Sequence, residues 1–366
     1  MSNAVLQEVR SLYWDDVEEG QALPTLHYEL SLLRLVAHVR ATGLYDYVHF
    51  DRDYARAVGA RDAFIATPHV NGLFSRLMTD WAGPLAAVRS ISLRMRTQSC
   101  AGDELVVTGR VGRKYVSAQG EHLVEIVDLN IGHAHAAQAA TATAVLALPT
   151  RAGVLPRGER NPAPRVPAQL SPDLPDFVRQ LVGTVKEGPA EPGRPLTADE
   201  IHLWCECLED WNPLYWDEQA AAAGPYGGIV APPAAMFHGA DASAEVGVGC
   251  LKPGHPVPRG VQQGLKGIEL LTSMRKDLLT HITPFSVPGY PEIAVSLAES
   301  EYFRPLRPGD HTHTTQEVLD CSPRKTTKLG EGHFLTWVRT VYNQRNEVVR
   351  TFTLTGLYYR PHAATV

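Results

Sequence analysis

The chain has 366 residues, 34 basic against 40 acidic side chains, and a formal net charge of −6. Apolar residues make up 44% and charged residues 20%, which excludes global disorder. At about 150 residues per domain, the length predicts two domains or a duplicated core. No basic run marks a nucleic-acid or membrane-surface binder. Cys100, Cys205, Cys207, Cys250 and Cys321 form no CxxC pair, and their odd number argues against a disulfide framework. A reduced compartment, the cytoplasm, is expected. The opening MSNAVLQEVRSLYWDD turns acidic without an apolar segment, so no signal peptide is expected. The apolar runs fall short of the roughly 20 residues that cross a bilayer.

In chain order, LSLLRLVAHVRATG has apolar residues three and four apart and predicts a helix. It leads into LYDYVHFDRDYARAVG, the apolar run FIATPHVNG and a second helical stretch, LFSRLMTDWAG. A Gly-Asp turn in RTQSCAGD precedes the strand-like ELVVTGRV, EHLVEIVDLNI and AAQAATATAVLALP. Prolines at 149, 156, 162, 164, 167, 172 and 175 follow. Each removes a donor and fixes φ, which predicts an extended connector. The expected division is 1–150, a linker 151–176, and 177–366.

The second half opens on LTADEIHLWCECLED, a helix with Thr197 and Glu200 placed as a capping box. WNPLYWDEQAAAAG, GGIVAPPAA and a helical stretch AMFHGADASAEVG come next. A Gly- and Pro-rich insertion is expected near 245–290. The Gly-Asp turn of RPLRPGD and the strand HTHTTQEVL follow. HFLTWVRTVYNQRNEVVRTFTLTGLYYRP predicts a hairpin turning at Asn343 to Asn346. The two halves therefore repeat one plan. Each is an α+β unit whose antiparallel strands must cover a central helix.

Helix, then NPLYWDEQAAA, then GGIVAPP, then FRPLRPGD, resembles the MaoC-like hydratase/dehydratase family of hotdog folds across most of both halves. The resemblance implies a double hotdog, an acyl thioester of CoA or acyl-carrier protein as substrate, reversible water addition to a 2-enoyl group, and no cofactor. The family motif is Ser-Gly-Asp-x-Asn-Pro-x-His, with its Asp and His as the catalytic pair. In the first half His49 falls on the motif His, Leu44 on the Asp, and Asp46 on the Asn. In the second half Asp210, Asn212 and Pro213 are kept, and Tyr215 replaces the His.

The resemblance implies catalytic roles for His49 and Asp46. A histidine titrates near neutrality, and a carboxylate orients it or the water. The enolate oxygen needs N–H donors, which the resemblance places at PHVNGLF, with Gly72 allowing close thioester approach. Tyr45, His69 and Asn71 are expected to line that pocket. Pro232 and Pro233 remove donors from the equivalent place in the second half, which favours the first. Asp210, Asn212 and Tyr215 are expected to contact substrate, although Asp and Asn also suit turns.

YVHFDRDYARAVG and MTDWAG resemble subunits of steroid side-chain hydratases, while GGIVAPP and FRPLRPGD resemble their partner subunits. That implies a bulky, polycyclic or polyketide-like acyl group, its pocket shaped by the insertion. Two alternatives stand beside hydration. One is a repurposed enzyme that cyclises, isomerises or hydrolyses a related thioester. The other is a non-catalytic thioester-binding partner. A fused pair is already a pseudo-dimer, and a further homodimer is compatible with it. His133/His135 and His311/His313 are spaced two apart, as on one strand face, and lack a third ligand, so no metal is expected. No GxGxxG follows a strand, and GxxxxGK[ST] and GxSxG are missing.

Overall fold

A computed structural model describes residues 11–165, 170–187, 194–237, 269 and 285–362. Cys250, most of AMFHGADASAEVG and most of the insertion expected near 245–290 lie outside the described residues.

The first half begins with strand β1 (Leu26–Leu30) and helix α1 (Leu32–Thr42). Ser31 caps α1 by accepting from Arg34 N, and Gly43 ends it at φ 66°, a left-handed conformation that glycine adopts without strain. The long helix α2 (Thr67–Ala82) follows, then strands β2 (Ala87–Met95), β3 (Asp103–Val116), β4 (His122–His133) and β5 (Ala136–Ala147). The second half repeats the plan with β6 (Val185–Glu187), α3 (Ala198–Leu208), β7 (Glu292–Tyr302), β8 (Thr312–Cys321), the two-residue β9 (Lys325–Thr326), β10 (Gly330–Asn343) and β11 (Val348–Pro361). The expected capping box is present: Thr197 and Glu200 each accept from the other's backbone N–H. So is the expected hairpin, where Asn346 takes φ 59°.

Among the described residues the strands join one antiparallel sheet in the order β1-β3-β4-β5-β2-β7-β11-β10-β8-β6, with β9 pairing β10 off that path. The two halves of that order match strand for strand, and they meet where β2 pairs β7, from Ser90↔Glu301 to Leu93↔Ala298. An antiparallel pair of equivalent strands relates the halves by a local two-fold. This is the double-hotdog α+β architecture that the sequence predicts.

α2 begins earlier than its apolar run suggests. Pro68 occupies its first turn, where a missing N–H costs nothing, so PHVNG is helix rather than turn. The face carrying Gly72 packs on α3 of the other half. A Cβ at Gly72 would overlap the Leu208 side chain and sit 3.1 Å from the Trp204 ring. Gly72 is thus a helix-contact residue, not a point of thioester approach. Overpacking a dry contact costs about 1–3 kcal/mol, and alanine returns about 1 kcal/mol of helix propensity. Gly72→Ala is expected to lower stability by up to about 2 kcal/mol, read as a fall in urea midpoint. An unchanged midpoint would show that Leu208 repacks freely.

Candidate active site

Behind Gly43 the chain is held residue by residue. Leu44 N donates to Thr42 Oγ1 at 3.3 Å, and Tyr45 N donates to Gly43 O at 3.0 Å. Asp46 caps a single 3-10 turn, Tyr47–His49, by accepting from Val48 N at 3.4 Å. His49 Nδ1 lies 2.8 Å from Phe64 O. A carbonyl only accepts, so Nδ1 carries a proton, and whenever the ring is neutral its lone pair is on Nε2. Phe64 is itself fixed, its N donating to Val48 O at 3.1 Å, with Ile65 N donating to Ser99 O at 2.9 Å. The intervening loop is clamped by Asp62, which accepts from Arg52 at 2.7 Å and Arg56 at 2.8 Å. The hydrogen bond from Arg52 leads in holding the Asp62 carboxyl down to about 2.

His49 and Asp46 are buried, 8% and 5% exposed, yet both line a cleft of about 430 Å³. Leu44 stands on the same wall. The start of α2 supplies Thr67 and Pro68, and Thr67, as first helical residue, has an N–H without an intrahelical acceptor. Pro68 itself lies in that first turn, so the presence of proline does not by itself rank the two halves. The opposite wall comes from the second half: Met236, Val295 to Ala298, Arg339, Phe352 and Leu354. Arg96, Thr97 and Gln98 are exposed at one end.

The other expected pocket residues lie elsewhere. Tyr45 is outside the described lining of the cleft. His69 is fully buried and stacks on His38 with ring centroids 4.4 Å apart. Tyr28 Oη donates to Cys207 O at 2.6 Å, so at 2.9 Å His69 Nε2–H donates to Tyr28 Oη. Burial drives the His69 pKa down to about 3 and that of His38 well below the ordinary value. Both rings stay neutral and belong to the helix packing. Asn71 donates to Ser300 Oγ at 3.2 Å in a small adjoining cavity.

The second-half set sits at the other end of the seam. Asn212 caps the short helix Pro213–Trp216 through Leu214 N at 3.1 Å, and with Tyr215 it lines a space of only about 50 Å³. Asp210 is 1% exposed and accepts from Asn212 N at 3.3 Å. Its role in these contacts is structural. Burial, with Asp80 adding repulsion, pushes the Asp210 carboxyl up to about 7. The folded form therefore holds a proton that the unfolded chain releases above about pH 4. Stability is lost as pH rises from there through 7. Asp210→Asn removes that loss and is expected to be more stable than the parent at pH 8, by as much as about 4 kcal/mol. The gap should close near pH 4. A gap independent of pH in urea titrations would contradict this.

Sequence reasoning missed the far wall, above all Arg339. The signal was present: Leu335, Trp337 and Val341 alternate as a buried face, and Arg339 interrupts it. His133 and His135 do not share a strand face. His133 ends β4 and His135 lies in the β4–β5 turn, and they approach Asp103 at 3.7 and 3.9 Å, where Arg61 already binds it. Among the described residues no group of three or more His, Cys, Asp or Glu could hold a metal ion, and no helix is long and apolar enough to cross a membrane.

A buried histidine and a carboxylate lining a cleft with a helix N-terminus, at the seam of a double hotdog, define a class of protein. Residues 183–268 match the family described as "FAS1-like, dehydratase domain region". The chain is 33% identical over 189 residues to a "probable enoyl-CoA hydratase alpha subunit" of Thermomonospora curvata, covering 51% of this chain and 53% of that one. It is 38% identical over 92 residues to the "3-oxo-4,17-pregnadiene-20-carboxyl-CoA hydratase beta subunit" of Mycobacterium tuberculosis, covering 25% of this chain and 71% of that one. In fold it is similar to the Mycobacterium tuberculosis protein Rv0216, described as a double hotdog, with TM-score 0.57, 16% identity, and 95% and 98% of the two chains covered. The chain belongs to the MaoC-like hydratase/dehydratase family. It spans about half the length of the alpha-subunit relatives it matches.

Proposed function

We propose that the protein is a hydro-lyase on acyl thioesters, adding water to a 2-enoyl group or removing it from a 3-hydroxyacyl group. One observation carries this: His49, its Nδ1 bound to Phe64 O, lines a large cleft at the seam together with Asp46. In hydration, Nε2 of His49 takes a proton from water as the water oxygen bonds C3. The C2=C3 π electrons move toward the thioester, and C2 then takes a proton back. Asp46 orients the water, and the Thr67 N–H faces the enolate oxygen. The names of the relatives support both the chemistry and a thioester of CoA. The apolar far wall supports a bulky, polycyclic or polyketide-like acyl group. Those relatives are alpha and beta subunits, which supports assembly with a further chain, a second copy included.

Leu44, in the cleft wall where the family places its acid, favours a second reading: an altered reaction without net gain or loss of water. The test is to incubate short, long and polycyclic 2-enoyl thioesters with the protein and follow enoyl absorbance and mass. A gain of one water supports hydration. Conversion without mass change supports the second reading. Binding without conversion on a broad panel leaves a thioester-holding partner and overturns the hydro-lyase.

A further inference from the structure

Helix α2 is buried on nearly every side, so its core-facing positions are expected to be apolar. Asn71, Ser75 and Thr79 break that pattern. They stand four residues apart and share one face over about 12 Å of helix. All three are at most 5% exposed. On strand β7, Ser300 and Tyr302 alternate onto the buried inner face. Asn71 Nδ2 donates to Ser300 Oγ at 3.2 Å, and Thr79 and Tyr302 line one space. The helix row and the strand row therefore run together. Polar groups buried in such rows cost stability unless they are hydrogen-bonded.

Among the described residues, Asn71 Oδ1, Ser75 Oγ and Tyr302 Oη are buried with no hydrogen-bond partner of normal geometry. Ser75 Oγ does not turn back to a carbonyl of the preceding turn, a common arrangement within helices. Tyr302 Oη has the Ser300 hydroxyl beside it, but out of hydrogen-bond geometry. Cavities accompany these atoms. Asn71, Ser300 and Tyr302 line one of about 30 Å³. Pro68, Met236 and Phe352 belong both to its lining and to the wall of the 430 Å³ cleft. At the other end, Tyr302 and Thr79 line the space of about 50 Å³ at Tyr215, which half-buried Asn212, Tyr226 and Arg304 border at the surface. A water needs about 10–15 Å³ and two to four polar partners, so both spaces have room for it. Asn71 Oδ1 needs a donor, and the two hydroxyls give or take a proton in a hydrogen bond. Water serves all three.

We propose that this row holds a file of ordered waters joining the His49 cleft to the Tyr215 end of the seam, and that the file carries the water of the reaction. The second part rests on the hydro-lyase reading above. Hydration consumes one water per enoyl group, and dehydration releases one. A long acyl group that fills the cleft excludes solvent from that side, so water must reach or leave His49 by another route. The file provides it from behind the acyl group. A short acyl group leaves the cleft open and has no need of it. Asn71 and Ser75 are then positioning residues, which hold the co-substrate and not the thioester.

The test compares the full chain with Ser75→Val and Asn71→Leu on two 2-enoyl-CoA thioesters, one of four carbons and one long enough to fill the cleft. Both variants put methyl groups where the file needs a polar partner. Their kcat on the long substrate is expected to fall at least about 10-fold further than on the short one, the scale of losing an ordered water whose hydrogen bonds are not replaced. KM should change little. Equal losses on the two substrates, or no loss on the long one, overturn the transport role. Ser75→Ala and Tyr302→Phe fold with the least disturbance and report on the water itself. Their urea midpoints are expected at or below the parent's, because removing a hydroxyl that water satisfies brings no gain. Higher midpoints in both show a dry row and overturn the proposal. A crystal structure of the full chain should place waters within hydrogen-bond distance of Asn71 Oδ1 and Tyr302 Oη, and a row without them overturns the proposal too. If no thioester turns over, the hydro-lyase reading fails, and the midpoints and the waters decide on the file separately.

Discussion

Replacing His49 with alanine is expected to lower kcat on any accepted 2-enoyl thioester by about 10²–10⁴-fold, the range for losing a positioned general acid–base. The ring does two things that alanine cannot. Its Nδ1–H is engaged by Phe64 O at 2.8 Å, which presents Nε2 as the basic nitrogen. In the proposed reaction its place in the cleft wall, with Asp46 and Leu44, would bring that nitrogen to the reacting carbons. Both kcat and kcat/KM should fall together, since the proton is shared only in the transition state. His49→Gln is the control for volume: it keeps a polar side chain but cannot cycle a proton near neutral pH. Turnover in either variant within a few-fold of the parent would remove His49 from the chemistry and point to Asp46 alone.

Glu121→Ala is expected to cost about 3–5 kcal/mol of stability, the range for breaking a buried ion pair by removing one partner. Arg89 and Glu121 are 5% and 7% exposed and bind each other through Nη2 and Oε1. Arg89 is the extra residue where the β2–β5 register slips between Val88 and Ser90, and a bulge of this kind turns a side chain inward. The pair also anchors the proline-rich connector. Arg157 N donates to Glu121 Oε1 at 3.1 Å, Arg89 Nη2 donates to Arg157 O at 2.7 Å, and Arg160 N donates to Phe303 O at 3.0 Å. Losing the carboxylate strands a guanidinium in the seam. The urea midpoint should fall with little change in slope, and Arg89→Met added to Glu121→Leu should recover much of the loss. A double variant no more stable than Glu121→Ala would show that the connector contacts, not the stranded charge, carry the effect.

Much of the fold was legible because its signals are local. The capping box at Thr197 and Glu200, the helix over Leu32–Thr42 and the hairpin at Asn343–Asn346 each depend on residues within a few positions. The repeat of helix and strands was legible for the same reason, and it sufficed to place His49 on a family motif. The other pocket residues were harder to read. His69, Asn71 and Gly72 follow one another closely in sequence, but at 3.6 residues per turn they point three ways. His69 meets Tyr28 and His38, Asn71 meets Ser300, and Gly72 meets α3.

The sequence by itself determined the duplicated α+β plan, the fold family and the pairing of His49 with Asp46 as the residues to examine. Only the tertiary structure decided what those residues face. The cleft is closed by β7, β10 and β11, whose residues lie more than 190 positions beyond His49. No local pattern encodes that juxtaposition. It arises because β2 and β7 must satisfy each other's backbone hydrogen bonds, and their register sets which inner-face side chains share a row. The same pairing gave the two equivalent motifs unequal room: about 430 Å³ at His49 against about 50 Å³ at Asn212 and Tyr215.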